Sequence, residues 1–488
     1  MFRNPRPSWT LAPPSSGSPA MNRPLSCVVS VSGIRGVVGD TITPADILGL
    51  AAAFGHTVAG GGGTVVLGRD SRPTGELFAQ AAAAGLRGVG CHVVDIGVVP
   101  TPTVPIMINE LKATGGIQVS ASHNPVEWNA LKFFNGSGRN VDQAQLDRVL
   151  DAYQQMPKDL WRGWSGVGTF ATAEHAIEVH VRRVLAAVDV PLVARRGFTV
   201  VIDSVNGSGS RIAPELLGRL GCTVVPLYTR PDQIFPRDPE PTAANVRTTG
   251  AVVRAVGADL GFVQDPDADR LAIIDETGRY IGEEYTLVLC AAARIAARVA
   301  EGANPKDVVA CTNLSTSRML EDVAARFGAS VVRAKVGEAN VVDAMQQFSA
   351  AIGGEGNGGI IDPRVVMGRD SQIGMALVLE YLARQGKPLS EVIAAIPTYA
   401  MHKEKVAMDR AAVAAAIPGL RAHPLAAGAE LDTRDGLKLV WADRWVHLRA
   451  SGTEPASRII AEAPTPAEAA GLAAAVRQAV GAHPVSGH

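Results

Sequence analysis

Thr64-Val65-Val66-Leu67-Gly68-Arg69-Asp70-Ser71 opens a pattern that the chain uses three times. A run of apolar, largely β-branched residues predicts a buried strand, and the polar turn after it predicts the strand's end. An Ala/Leu-rich stretch near 75–89 then reads as a helix, and Gly90-Cys91-His92-Val93-Val94 returns to a strand. Thr199-Val200-Val201-Ile202-Asp203-Ser204 begins the second copy, with a helix near 210–219 and Gly221-Cys222-Thr223-Val224-Val225. Val308-Val309-Ala310-Cys311-Thr312-Asn313 begins the third, with a helix near 316–327 and Gly328-Ala329-Ser330-Val331-Val332. In each copy a Gly follows the helix, where a left-handed residue closes its last turn. Strand, helix and strand with nearly continuous apolar strands is the signature of parallel sheets covered on both faces. The spacing differs between copies, so these are repeated domains and not a solenoid.

The last ninety residues lose this rhythm. Short strands are expected around Lys438-Leu439-Val440, Trp445-Val446-His447-Leu448 and Arg458-Ile459-Ile460-Ala461, before an Ala-rich helix after Thr465-Pro466. The expected fold is therefore α/β: three related domains with mixed, mainly parallel sheets, plus a smaller α+β C-terminal domain, around a central cleft. The boundaries expected are 26–172, 173–281, 282–396 and 397–482, with an Ala-rich helix at 173–188 linking the first two. Residues 1–25 are Pro- and Ser-rich and are expected to be a disordered tail; Met21 opens a more ordinary start.

The length of 488 residues suits three or four domains. Lys and Arg number 46 against 47 Asp and Glu. That balance argues against a nucleic-acid protein held by bulk charge, though it leaves room for a local anion pocket. Five cysteines, with no C-x-x-C spacing, read as reduced core residues. No apolar run is long enough to span a membrane, and residues 1–20 lack the apolar core of a secretory signal. A cytoplasmic protein that is a monomer or homodimer is expected.

In open α/β sheets, ligands gather beyond the carboxyl ends of the strands, so the polar turns are where chemistry is sought. Ser120-Ala121-Ser122-His123-Asn124-Pro125 follows the strand Gly116-Ile117-Gln118-Val119, with Lys132 close behind. It is either a Ser/Asn turn stopped by Pro or a loop whose serine carries a phosphoryl group balanced by nearby cations. A Ser-His-Asp hydrolase is disfavoured, because adjacent Ser and His rarely align and no G-x-S-x-G elbow is present. Asp265-Pro266-Asp267-Ala268-Asp269-Arg270 alternates three carboxylates between two apolar strands. Asp265, Asp267, Asp269 and Glu276 match EF-hand positions, but Arg270 stands where that loop needs Gly. A strand–loop–strand site for Mg²⁺ is the better reading, since three buried Asp would otherwise repel one another.

Gly353-Gly354-Glu355-Gly356-Asn357-Gly358-Gly359 sets a Glu and an Asn among five glycines, a suitable pair for sugar hydroxyls. Arg449-Ala450-Ser451-Gly452-Thr453-Glu454-Pro455, with Arg458, has the composition of a phosphate cup.

These four motifs, in this order, resemble the α-D-phosphohexomutase superfamily over about Ser30 to residue 480. The resemblance implies interconversion of hexose 6-phosphate and hexose 1-phosphate through a phosphoserine at Ser122 and a hexose 1,6-bisphosphate intermediate. It gives Ser122, Asp265, Asp267 and Asp269 as ligands of one Mg²⁺, and Ser122, His123, Lys132, Arg35 and Arg270 as the catalytic group. Arg35 sits in Gly33-Ile34-Arg35-Gly36, which resembles the family's N-terminal signature, and Lys132 matches its proton-transfer lysine. Glu355 and Asn357 are implied as sugar-binding, and Arg449, Ser451, Gly452, Thr453 and Arg458 as phosphate-binding. The commoner family sugar loop reads Gly-Glu-x-Ser-Gly-His; here Asn357 replaces the Ser and Gly359 the His. The Glu-x-Asn-Gly-Gly form, with Glu127-Trp128-Asn129-Ala130-Leu131-Lys132, resembles a phosphoglucosamine mutase branch, ahead of phosphoglucomutase or phosphomannomutase. Small sugar phosphates, not nucleic acid or membrane, are the implied partners. A sugar-phosphate-binding protein without turnover and a Mg²⁺-dependent phosphatase are the rival readings.

Overall fold

The computed structural model describes residues 25–451 and 456–483. The expected tail over 1–25 thus lies outside the described residues, apart from Leu25. Four sheets follow one another along the chain. The first contains β1 (Val28–Ser30), β2 (Gly33–Val37), β3 (Thr64–Arg69), β4 (His92–Val98), β5 (Gly115–Val119), β6 (Trp128–Asn135) and β7 (Phe170–Thr172). The second contains β8 (Thr199–Asp203), β9 (Thr223–Leu227), β10 (Leu260–Gln264) and β11 (Leu271–Asp275). The third contains β12 (Val309–Asn313), β13 (Ser330–Ala334), β14 (Ile352–Glu355) and β15 (Gly359–Ile361). β16 (Ala400–Val406), β17 (Glu430–Asp432), β18 (Leu437–Val440), β19 (Trp445–Ala450) and β20 (Ser457–Ala463) form a wholly antiparallel fourth sheet.

The three repeats share one topology. The orders β4-β3-β5-β6, β9-β8-β10-β11 and β13-β12-β14-β15 are the same arrangement, and the first sheet adds β1, β2 and β7 at its edges. In each, the first three strands run parallel and the fourth pairs antiparallel to the third. The glycines after the three repeat helices, Gly90, Gly221 and Gly328, take φ of 95°, 83° and 74°, the left-handed closure that their positions predict. The third repeat helix begins later than expected, at Met319. Asn313 Oδ1 accepts from Ser315 N and Thr316 Oγ1, and this local turn competes with helix formation. The C-terminal domain also has β16, β17 and a helix over Arg410–Ala422, which the sequence reading did not anticipate. Among the described residues, no helix is long and apolar enough to cross a membrane.

One continuous apolar core joins the first three domains, through residues such as Val104, Phe262, Leu287 and Leu377. The fourth domain has its own core around Val406, Leu448 and Val476. A buried polar link also crosses the first three. His180, on the helix Ala176–Ala186, bonds Thr103 Oγ1 at 2.9 Å and Asp370 Oδ2 at 3.0 Å. All three residues are fully buried. His180→Ala strands the Asp370 carboxylate without its partner, at a cost of about 3 kcal/mol. Calorimetry is expected to show a thermal midpoint several degrees lower, with His180→Gln recovering part of the loss.

Candidate active site

Three of the four motifs occupy one topological point. The turn between the third and fourth strands of each repeat carries Ser120–Pro125 after β5, Asp265–Arg270 after β10, and Gly356–Gly358 after β14. The strands beside each turn are almost wholly buried, so the turns are mounted on rigid supports. Ser122 and Ala268 both take φ of 52°. Non-glycine residues adopt this left-handed region only where their surroundings impose it, and such strain gathers at functional loops.

Arg72, itself buried, clamps the serine loop. It pairs with Asp70 at 2.5 Å and donates to Trp128 O at 2.8 Å, to Ser122 O at 3.0 Å and to Asn124 O. Ser122 Oγ lies 3.2 Å from Asp265 Oδ2 and 3.5 Å from His123 Nδ1. Arg35 reaches Asn124 Oδ1 at 3.4 Å. The charge of Arg270, then burial, push His123 well below its ordinary pKa. In this arrangement the imidazole is neutral and offers a hydrogen bond, not a positive charge.

The carboxylates of Asp265, Asp267 and Asp269 are buried, with ligand atoms within 4.8 Å of one another. Asp265 takes Ser122 Oγ on one oxygen and Arg270 N on the other. Asp267 Oδ2 accepts from Thr101 Oγ1 and sits 2.5 Å from Lys132 Nζ. Asp269 Oδ2 sits 2.7 Å from Arg369 Nη2. The remaining oxygens, Asp267 Oδ1 and Asp269 Oδ1, are buried without a hydrogen-bond partner among the described residues. Burial, then Asp269 and Asp267, drive the Asp265 carboxyl well above its ordinary range. Burial would also raise Asp267, but Lys132 holds it below the usual range. Two unpartnered oxygens in an all-carboxylate set fit a hard divalent cation such as Mg²⁺. Burial works to deprotonate Lys132, but Asp267 and Asp269 keep its pKa raised, so its ammonium stays charged.

The loops face a cavity of about 530 Å³ lined by all four domains. Arg35, Ser122, His123, Lys132, Arg270, Glu355, Asn357, Arg449 and Arg458 all reach it. Glu355 Oε1 accepts from Asn313 Nδ2 at 2.9 Å and from Gly337 N at 3.2 Å. Asn357 Oδ1 turns back onto Gly359 N at 3.2 Å. Arg449 Nε pairs with Asp435 Oδ2 at 3.1 Å, and Ser451 N donates to Ala456 O. Gly452 and Thr453 lie outside the described residues. Seven Lys and Arg side chains face four Glu in the lining, a local positive balance that the net charge of −1 conceals.

Several lining or supporting residues have no sequence motif: Thr101, Arg72, Asn313, Arg369, and the trio Glu283, Glu284 and Lys403. Lys403, on β16, crosses to Glu283 at 2.7 Å and Glu284 at 3.3 Å. Glu284 also accepts from Ser317 N at 3.0 Å. A Cβ on Gly356 would stand 2.0 Å from Glu284 Oε2, so any side chain at this position of the sugar loop would displace the Glu284 carboxylate.

Comparison with known proteins agrees with this geometry. Four successive family descriptions match: phosphoglucomutase/phosphomannomutase α/β/α domain I over 28–159, domain II over 178–278, domain III over 283–399, and the C-terminal domain over 402–479. A Thermococcus kodakarensis protein named phosphoglucomutase/phosphomannomutase is 39% identical over 438 residues, 88% of this chain and 93% of that protein. A probable phosphoglucosamine mutase of Methanopyrus kandleri is 36% identical over 436 residues, 88% of this chain and 93% of that one. Among solved structures, a putative phosphomannomutase from Thermus thermophilus superposes with a TM-score of 0.78 at 28% identity, covering 93% of this chain and 99% of that one. The fold and its converging loops define an isomerase of the phosphohexomutase class, one that moves a phosphoryl group within a sugar phosphate. Within that class, the chain belongs to the phosphoglucomutase/phosphomannomutase family of the α-D-phosphohexomutase superfamily.

Burial pushes the Glu284 carboxyl up to about 7, against the pull of Lys403. In the unfolded chain it ionises near its ordinary 4.5. Its contribution to stability is therefore full below 4.5 and is lost as pH rises toward 7. Glu284→Gln is expected to flatten this dependence. Its thermal midpoint should fall less than that of the wild type between about pH 5 and about pH 8.

Proposed function

We propose that the enzyme interconverts glucosamine 6-phosphate and glucosamine 1-phosphate by way of phosphorylated Ser122. The observation that carries this reading is the position of Ser122 Oγ. It lies 3.2 Å from Asp265 Oδ2, in a left-handed turn, on the same cavity as Arg449 and Arg458. The phosphoryl group on Ser122 passes to the free hydroxyl of the bound sugar monophosphate. The P–O bond to Ser122 Oγ breaks and a P–O bond to the sugar oxygen forms. Lys132, an ammonium, gives a proton to the departing Ser122 Oγ and takes up the hydroxyl proton in its place. The bisphosphorylated sugar turns within the cavity, and its other phosphoryl group returns to Ser122.

Catalysis of this kind is mostly positioning and charge stabilisation. Asp265, Asp267 and Asp269, with Ser122, would hold Mg²⁺, which supplies charge neutralisation when bound. Arg270 and Arg35 add fixed positive charge, and His123 adds a hydrogen bond. Glu355 and Asn357 orient the sugar. Arg449, Ser451, Gly452, Thr453 and Arg458 grip the phosphate that is not reacting. The fourth domain closes over the cavity and excludes water, whose attack on phosphoserine is the competing loss.

The Glu355-Gly356-Asn357-Gly358-Gly359 form of the sugar loop supports an amino sugar, as does the name of the 36% identical relative, a probable phosphoglucosamine mutase. Glucose or mannose phosphate is the second reading, favoured by the name of the 39% identical relative. Ser122→Ala is expected to lower hexose phosphate interconversion by at least ~10³-fold. Intact mass of the wild type should carry one phosphoryl group that the variant lacks. Wild-type turnover in Ser122→Ala would falsify the phosphoserine route. A kcat/KM clearly higher for glucose or mannose phosphate than for glucosamine phosphate would move the sugar to the second reading.

A further inference from the structure

We infer that Arg369 is a positioning residue that couples the metal-binding carboxylates to the sugar-binding glutamate. No motif contains it, and it follows the sugar loop in an ordinary stretch, Val366-Met367-Gly368-Arg369-Asp370. Its guanidinium is divided among three carboxylates. Nη2 meets Asp269 Oδ2 at 2.7 Å, Nη1 meets Glu355 Oε2 at 3.3 Å, and Nε lies 3.1 Å from Glu338 Oε2. Arg369 N also donates to Glu338 Oε1 at 3.2 Å. The planar guanidinium can hold several oxygens in fixed directions, which a lysine ammonium cannot do.

These contacts fix the carboxylates in useful orientations. With Oδ2 of Asp269 engaged by Arg369, Oδ1, which has no hydrogen bond and only Arg270 Nε at 4.0 Å, is the oxygen left for a cation. With Oε2 of Glu355 on Arg369 and Oε1 on Asn313 and Gly337, the carboxylate cannot rotate away from the cavity it lines. One side chain thus sets both the metal side and the sugar side of the site.

Arg369 is itself rigidly mounted. The next residue, Asp370, bonds His180 Nε2 through its carboxylate and Ile360 O through its backbone N–H. Ser371 Oγ donates to Ala268 O in the metal loop at 2.6 Å and accepts from Gln264 Nε2 at 2.8 Å. The segment is therefore tied to the second and third domains, and through His180 to Thr103 of the first.

The departure at Gly359 now has a physical cause. A Cβ there would stand 2.3 Å from Arg369 Cδ and 2.9 Å from its Cγ. The Arg369 stem fills the space that the side chain of residue 359 would use, so a His at 359 and Arg369 in this pose exclude each other.

This inference rests on the mutase reading of the cavity but is tested apart from it. Mg²⁺ is titrated calorimetrically into wild type, Arg369→Lys, Arg369→Ala, Gly359→Ala and the Arg369→Ala/Gly359→Ala double variant. Each is matched in phosphorylation by intact mass and checked by thermal unfolding. KM and kcat for the hexose phosphates are measured alongside. Arg369→Lys keeps the charge and loses the fork, so the Mg²⁺ Kd and the sugar KM should both rise by about tenfold. Gly359→Ala should do the same with Arg369 still present. In the Arg369→Ala background, where the crowding atoms are gone, it should add less than about twofold. Mg²⁺ Kd and KM within about twofold of wild type in Arg369→Lys, with only the thermal midpoint lowered, would mean a merely structural arginine and overturn the inference. A Gly359→Ala effect that adds in full to Arg369→Ala would overturn it as well. Wild type without turnover on any hexose phosphate would sink the mutase reading instead, while the Mg²⁺ titrations would still judge Arg369.

Discussion

Three carboxylates held close together out of water are the constraint to which the rest of the structure answers. Asp265, Asp267 and Asp269 are buried side by side, and like charges so placed oppose one another strongly in a medium of low dielectric. The compensation comes from scattered sequence positions. Lys132 and Thr101 of the first domain take one oxygen of Asp267, and Arg369 of the third takes one of Asp269. Such a cluster survives only if these groups cannot drift by even an ångström. A single apolar core shared by the first three domains supplies that fixity, because close-packed interiors resist small displacements.

The fourth domain is attached differently. Its core is separate, and polar contacts are prominent where it meets the third domain. His447 bonds Ser315 Oγ at 2.9 Å, Lys438 donates to Leu314 O at 2.6 Å, Glu462 accepts from Arg318 N at 3.1 Å, and Lys403 reaches Glu283. Water can take up each of these partners once the domains part, so each bond contributes only about 1–3 kcal/mol net. The domain proposed to grip the phosphate that is not reacting is joined by contacts that can be remade, while the domains around the Asp cluster are joined by packing that cannot. In the proposed route a bisphosphorylated sugar turns within the cavity, and this division would let the site loosen its hold on the sugar without disturbing the Asp cluster.

The sequence reading found what is local. Ser122, the three Asp and Glu355 lie in polar strings bounded by apolar strands, where composition changes abruptly. The repeats were legible for the same reason, down to the glycines that close their helices. What escaped was long-range. Thr101 meets Asp267 across 166 positions, and Lys403 meets Glu284 across 119. Arg369 and Glu284 sit in ordinary stretches whose composition announces nothing. The signal for Glu284 lay in its neighbour: a Cβ on Gly356 would meet the Glu284 carboxylate, but a glycine in sequence does not say which atom faces it. Similarly, Gly359 read as a departure in the sugar loop, and only the folded chain identifies Arg369 as its cause.

The repeated topology explains how one cavity acquires such different chemistries. Each repeat ends in an antiparallel hairpin whose strands are buried by the sheet and its helices. Substitution in the turn leaves that packing intact, so the turn can change residue type at little cost to the core. The first has become a serine loop pinned by Arg72, the second a string of carboxylates, and the third a glycine-rich loop around one glutamate. Glycine is needed where backbone must approach closely, as at Gly358, where a Cβ would stand 2.4 Å from Leu271 O, and a strained Ser or Ala is tolerated where neighbouring domains hold it. The three turns remain chemically distinct but not independent. The segment after the third hairpin sends Arg369 back to the second turn, and the strand after the first sends Lys132 to the same carboxylates. Specialisation within each hairpin and charge exchange between them are therefore two results of one arrangement, since carboxylates buried in one turn require cations supplied by the others.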